Sequence, residues 1–370
     1  MLRFELEDFF DTYEHRPGLI NLASSDALPW PAEQLRDDPE INAGVGIGTL
    51  AYPDVRGLLL PGLRELCAPP PGADVLPTSG AAEAIALVLH EHWQSCKTGR
   101  TCLLGVPAPG YGAFRGLASL LGMPLEVYGY EPTRQWAPDS DELLTLARRC
   151  SALVVNNPHN PTGHVLSGGL LEAVALEMAA RDALLIVDEV FRLPQDTPSA
   201  IELGRASACQ HVVVIGSLSK VYGLPGLRLG WVVAERDRLS RLRTLQQYFT
   251  LTLGAFTVQL GAAVLQRPER FSRAELIRTN RQMLVERVSA ASGRMAISPP
   301  LGGTTVCLSI ESTLSEDDLF DRCLQAGVLL APGARCFDAG HQMRWFRLGY
   351  GGASDDLDRG LRRIDQVIAR

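Results

Sequence analysis

The chain has 370 residues, of which 46% are hydrophobic and 21% charged, and a formal net charge of −7. That length accommodates one large domain and a smaller one, with a core far above the marginal size. The acidic balance, with no basic run and no basic stripe interleaved with aromatics, argues against a nucleic-acid binder, and no apolar run approaches the ~18 residues of a membrane span.

The N-terminal sequence Met-Leu-Arg-Phe-Glu-Leu-Glu-Asp has no secretory apolar core, and residues 4–13 read as a short amphipathic helix (Phe4, Leu6, Phe9, Phe10, Tyr13). Leu19–Asp26 reads as a strand running into a polar turn. Residues 42–57, with Gly44, Gly46 and Gly48, read as a flexible loop and not a dinucleotide fingerprint, because no strand precedes them. A helix over Leu58–Cys67 ends at Pro69-Pro-Pro71. From residue 74 strands and helices alternate. The predicted strands are 74–77, 102–106, 125–129, 152–156, 183–187, 211–215 and 229–234; helices are predicted to open at Thr78, to follow Gly112, and to cover 140–149 and 168–181. Such alternation predicts an α/β fold with a mainly parallel central sheet, whose ligands bind at the carboxyl ends of the strands. Residues 235–295 read as helical. From Gly302 the pattern is strand 304–310, helix 316–326, strand 344–350 and helix 355–369, a second, smaller α+β layer. The eight cysteines (67, 96, 102, 150, 209, 307, 323 and 336) form no CxxC pair and predict reduced thiols in a cytoplasmic protein.

Of the 35 Lys and Arg residues only two are lysines, Lys97 and Lys220. Lys97 lies in a polar helix-end segment. Lys220 lies at the mouth of the apolar run His211–Ile215, where a charge is awkward to place. A lysine, unlike an arginine, can lose its proton and condense with an aldehyde as an imine.

Other strand ends carry further polar groups. Ser79-Gly80-Ala81-Ala82 at a helix start offers backbone N–H groups to a phosphate, and Ser217, Ser219 and Arg228 can add side-chain partners. Tyr111, between two glycines, offers a flat ring face. Asp188 ends a wholly apolar strand, where a carboxylate needs a cationic partner such as a protonated pyridine nitrogen. Asn160 sits in Asn-Pro-Thr-Gly. Taken singly, each of these also reads as a cap, turn or core residue. Jointly they describe one ligand with a flat ring, a phosphate, a protonated ring nitrogen and an aldehyde: pyridoxal 5′-phosphate.

The runs Tyr52–Gly57, Thr78–Ala84, Asn157–Gly163, Asp188–Phe191, Ser217–Lys220, Gly223–Arg228 and Phe346–Tyr350 resemble those of the class I/II aminotransferase family of fold-type I pyridoxal-phosphate enzymes. The resemblance implies a large cofactor-binding domain over 45–275 and a small domain made of 1–44 and 276–370. It implies that Lys220 carries the cofactor and shuttles the proton, Asp188 holds the pyridinium, Asn160 reaches the phenolic oxygen and Tyr111 stacks on the ring. Gly80, Ala81, Ser217, Ser219 and Arg228 would hold the phosphate. Tyr52 would reach the phosphate of a neighbouring subunit, which makes a homodimer with shared sites. Arg347 would clamp the α-carboxylate of an amino-acid substrate, with the backbone around Ser25 closing from the other side.

Two features depart from the family pattern. Phe191 stands where most members have a tyrosine that donates to the phenolic oxygen, and Ala23-Ser-Ser-Asp26 replaces a turn often built on Asn or Gly. Asp26 can meet a cationic substrate group, or act as a turn residue. Asp188-x-x-Phe-Arg192 is similar to the pattern expected in capreomycidine and enduracididine synthases and arginine oxidases. Three readings follow: an aminotransferase first, then a cyclase, lyase or oxidase acting on an arginine-derived amino acid, and last a non-catalytic binder on the same fold.

Overall fold

The computed structural model describes residues 3–39, 41, 51–96, 102–203, 209–291, 293–337 and 344–369. The glycines at 44, 46 and 48, and Lys97, lie outside the described residues.

The strands, in chain order, are β1 (Ile20–Asn21), β2 (Ala73–Ser79), β3 (Leu104–Ala108), β4 (Leu125–Glu131), β5 (Ala137–Pro138), β6 (Ala152–Asn156), β7 (Leu184–Asp188), β8 (Val212–Ser217), β9 (Leu229–Glu235), β10 (Met295–Ile297), β11 (Thr305–Ile310), β12 (Val328–Leu329), β13 (Ala331–Pro332) and β14 (Phe346–Gly349). The large sheet has the order β2-β9-β8-β7-β6-β3-β4-β5. Its centre, β8-β7-β6-β3-β4, is parallel. β9 runs antiparallel to both of its neighbours, and β5 is antiparallel to β4. The fold is α/β with a mainly parallel sheet.

The sequence accounts for the centre of the sheet. Every residue of β6, β7 and β8 is buried, as expected for strands covered by helices on both faces. Helix Ser140–Ala147 starts where the Asp139 side chain accepts from the N–H groups of Asp141 and Glu142. Helix Gly168–Ala180 starts where Ser167 accepts from Leu170. Both caps satisfy donors that the first helical turn leaves open.

β3 pairs with β4 on one side and with β6 on the other. The chain therefore reverses its direction of growth between β3 and β6, and a crevice opens there beyond the carboxyl ends of the strands. A second sheet, β10-β11-β14-β13, is antiparallel. β1 pairs in parallel with β12, so the N-terminal segment joins the C-terminal layer. Helix Glu5–Tyr13 buries Leu6 and Phe9, and Phe9 packs 5.9 Å from Phe320 between ring centres.

The expected element boundaries hold within two residues for most of the parallel strands. The predicted helix over 58–67 is split into Val55–Leu58 and Leu60–Cys67. The seven described cysteines are free thiols, and six of them are buried; the Cys209 side chain lies outside the described set.

Candidate active site

β6, β7 and β8 end side by side. Asn156 is in register with Asp188, and Asp188 with Ile215, two residues before Ser217. A cavity of about 250 Å³ lies beyond these ends, lined among others by Ala81, Tyr111, Asn160, Asp188, Lys220 and Arg347.

At one end of the cavity is a cradle for an anion. Gly80 has φ +75°, and a Cβ built on it would lie 2.3 Å from Arg228 Nη2. Only glycine lets the guanidinium lie this close to the start of helix Gly80–Cys96, whose first N–H groups and dipole favour negative charge. Ser217, Ser219 and Ala81 line the same end, and the Ser219 N–H donates to Ser217 Oγ at 3.2 Å.

In the middle of the cavity lies Asp188, 3% exposed. Among the described residues, the one hydrogen bond to its carboxylate comes from the Val190 N–H at 3.1 Å. Burial pushes its pKa up to about 7; the Val190 N–H and Lys220 oppose this, and Glu189 adds to it. A carboxylate so placed is completed by a cation held against it. Asn156 donates from Nδ2 to the Asp188 carbonyl at 3.0 Å and accepts the Asn160 N–H on Oδ1 at 2.6 Å. That contact fixes the Asn160 backbone and leaves its side chain facing the cavity. Lys220 Nζ donates to Asp26 Oδ1 at 2.8 Å and to Ser25 Oγ at 3.0 Å, and lies 5.9 Å from the centre of the Phe191 ring. Tyr111 precedes helix Gly112–Leu121, with its ring 5.4 Å from that of Phe4.

At the other end is Arg347, 1% exposed in the middle of β14. It donates through Nε and Nη2 to the Ala23 carbonyl at 3.0 and 2.7 Å and through Nη1 to Asn160 Oδ1 at 3.3 Å. Burial lowers its pKa to about 10, against the pull of Cys336, Asp26, Glu7 and Tyr111. Among the described residues no carboxylate forms an ion pair with it.

The sequence matches the family described as aminotransferase class I and II over residues 63–364. The chain belongs to that family. It is 33% identical to capreomycidine synthase of Streptomyces vinaceus over 81% of this chain and 76% of that one. Its fold resembles a pyridoxal-phosphate-dependent aminotransferase from Streptococcus suis (TM-score 0.86, 24% identity, covering 100% of this chain and 98% of that one). It also resembles a pyridoxal-phosphate-dependent cyclase (TM-score 0.80, 26% identity, covering 99% and 97%). As a class I/II aminotransferase-family enzyme the chain uses pyridoxal 5′-phosphate. The glycine-only cradle and the buried Asp188 carboxylate fit that cofactor's phosphate and its protonated ring nitrogen.

Of the residues that sequence analysis singled out, Ala81, Tyr111, Asn160, Asp188, Ser217, Ser219, Lys220, Arg228, Arg347, Ser25 and Asp26 line this one cavity, and Gly80 touches it through Arg228. Tyr52 does not line it and is 80% exposed. The backbone group that meets Arg347 is the Ala23 carbonyl; the Ser25 hydroxyl faces Lys220, and the Ser25 carbonyl accepts from Thr304 Oγ1 at 2.7 Å.

Sequence reasoning missed Glu7, Phe10 and Glu14, which the N-terminal helix and its C-cap bring to the cavity. Their spacing (i, i+3, i+7) puts them on one helical face, so two acids flanking an aromatic on that face are the signal available in the sequence. Glu7 stays open to solvent. Partial desolvation nevertheless raises its carboxyl above the usual range, with Lys220 and Arg347 pulling the other way.

Proposed function

We propose that this enzyme acts at the α-carbon of an L-amino acid whose side chain ends in a cation, of the arginine-derived class, and that it eliminates and cyclises rather than transaminates. The observation that carries this reading is the acidic face formed by Glu7 and Glu14 in the cavity that also holds Arg347, whose lining includes a third carboxylate, Asp26, paired with Lys220. The two oppositely charged ends of such a substrate need receptors of opposite sign. Arg347 offers a fork to the α-carboxylate, and the carboxylates offer partners to a guanidinium or ammonium. The similarity to capreomycidine synthase supports the same substrate class. Phe191 supports a departure from plain transamination, since it brings no hydroxyl to the cavity.

The cofactor would be held by Gly80, Ala81, Ser217, Ser219 and Arg228 at its phosphate, by Asp188 at its ring nitrogen, by Asn160 at its phenolic oxygen and by Tyr111 on its ring face. When bound it supplies an aldehyde for the substrate amine and an electron sink that makes the Cα–H acidic. Lys220 is the base that takes the Cα proton. Ser25 and Asp26 orient its Nζ, and once Nζ carries that proton Asp26 pairs with the resulting ammonium. Phe191, Leu6 and Phe10 form the apolar part of the wall and limit water around the reacting carbon.

Transamination, the first reading of the sequence, is the alternative. Incubation with L-arginine and its hydroxylated derivatives, with and without a 2-oxo acid, separates the two readings by product mass. Loss of water with nitrogen retained supports cyclisation. Transfer of the amino group to the oxo acid supports transamination. If cationic amino acids react no better than neutral ones, the substrate assignment is wrong. Lys220→Ala should abolish both turnover and the cofactor's imine absorbance.

Three coarser features belong to the same proposal. Residues 45–275 form the large domain, and 1–44 with 276–370 the small one, which β1–β12 pairing favours. The working unit is a homodimer: Tyr52, Leu58, Tyr248, Phe249 and Phe256 are exposed, an apolar set suited to a second copy, and Tyr52 would then serve the neighbouring site. No helix among the described residues is long and apolar enough to cross a membrane, and the free thiols favour work in the cytoplasm.

A further inference from the structure

The C-terminal end of helix Gly80–Cys96 lies roughly 24 Å along the helix axis from the phosphate cradle at Gly80, outside the cofactor cavity. There His92 and Cys96, four residues apart, share one helical face. Cys102, just before β3, comes to the same point. The His92 ring nitrogen and the two sulfurs all lie within 4.8 Å of one another, and all three residues are buried. No other group of three metal-capable side chains occurs among the described residues. His92 Nε2 is 3.4 Å from Cys96 Sγ and 2.9 Å from Ser151 Oγ, and Cys96 Sγ is 3.8 Å from the same hydroxyl. Ser151 also donates to the Leu103 carbonyl at 3.1 Å, next to Cys102.

We propose that His92, Cys96 and Cys102 bind one zinc ion, with Ser151 Oγ or a water in the fourth position. Zinc bonds of ~2.0–2.1 Å to nitrogen and ~2.3 Å to sulfur set the edges of a tetrahedral site at about 3.3–3.8 Å. The His92 Nε2–Cys96 Sγ separation of 3.4 Å falls in that range, and every pair of the three donor atoms lies within 4.8 Å. The donor set of two sulfurs and one imidazole selects zinc over hard cations such as magnesium or calcium. Charge also balances. Each thiol releases its proton to solvent as it binds, two thiolates cancel the ion's two positive charges, and the imidazole binds as the neutral base, so nothing charged is left alone in a buried place. Such a site would staple the helix end to the starts of β3 and β6. Those two strands flank the crevice and carry Tyr111 and Asn160 beyond their other ends, so the metal is structural and far from the chemistry.

The test uses cofactor-loaded protein stripped with a chelator and titrated with zinc chloride, then desalted for elemental analysis, with cobalt chloride as a spectroscopic probe. One zinc per chain, a raised unfolding midpoint and a thiolate-to-cobalt charge-transfer band are expected. Cys96→Ser and Cys102→Ser should each weaken zinc binding by roughly tenfold or more while keeping the cofactor's absorbance, and Cys323→Ser, elsewhere in the fold, should bind zinc normally. Zinc far below one per chain, binding unchanged in both cysteine variants, or a Cys96–Cys102 disulfide that excludes the metal would overturn the proposal. If a variant fails to fold, the wild-type cobalt spectrum decides: without a thiolate band the site does not exist.

Discussion

Asp188→Asn is the perturbation whose size follows most directly from the structure. In the cofactor-free protein Asp188 is 3% exposed and its pKa rises from 3.8 to about 7 because burial disfavours the charge. The folded state therefore holds this proton over a pH range in which the unfolded chain has already lost it. Below about pH 4 both states are protonated and no penalty exists. As pH rises from about 4 to 7 the folded state must either keep a proton or bury a charge, and stability falls, by on the order of 4 kcal/mol once the window is crossed. A cation against the carboxylate cancels the penalty, so the cofactor should stabilise the wild type more at pH 8 than at pH 5. The assay is urea unfolding of the wild type and Asp188→Asn across that range, each with and without cofactor. The variant without cofactor should be the more stable protein at pH 8 and should gain little extra from cofactor there. A wild-type-minus-variant difference that stays flat with pH would refute the reasoning, because burial would then not be what perturbs Asp188.

Three further outcomes are expected. Glu7→Gln should raise KM for a cationic amino acid about threefold, about 0.6 kcal/mol for an exposed, solvent-screened carboxylate, and leave a neutral amino acid unaffected. Because the Glu7 carboxyl is held above the usual range, the wild type's preference for the cation should strengthen as pH rises through that raised pKa, and equal KM changes for both substrates would remove Glu7 from recognition. Gly80→Ala puts a Cβ where Arg228 Nη2 lies and forces a side chain into φ +75°, about 1–2 kcal/mol of backbone strain alone; cofactor affinity should fall, and a titration matching wild type would reject the cradle. Arg347→Lys replaces a planar fork by a point charge; kcat/KM should fall on the order of 100-fold with the cofactor absorbance intact, and a loss below threefold would mean that the α-carboxylate binds elsewhere.

Much of the fold was legible because its signals are local. The parallel strands are continuous apolar runs, and each ends where one polar residue appears: Asn156, Asp188 and Ser217. A lysine at such an end, in a chain with only one other lysine, stands out before any contact is known. The antiparallel direction of β9 was not legible, since a buried apolar strand looks the same read in either direction. The Ala23-Ser-Ser-Asp26 turn was recognised as unusual, but not that Lys220 would reach Asp26 across 194 residues of sequence, nor that Arg347 would meet the Ala23 carbonyl across 324.

Read alone, the sequence determined the family, the cofactor and most of the residues that line the one cavity, because a strand end in an α/β sheet points its last side chain at the crevice wherever the rest of the chain goes. Tertiary structure alone decided what surrounds the Arg347 end of the cavity, namely the acidic face of the N-terminal helix and the carbonyl that holds Arg347, and, away from the cavity, the meeting of His92, Cys96 and Cys102. These depend on segments distant in sequence closing on one point, and the packing that brings them together leaves no periodicity to read.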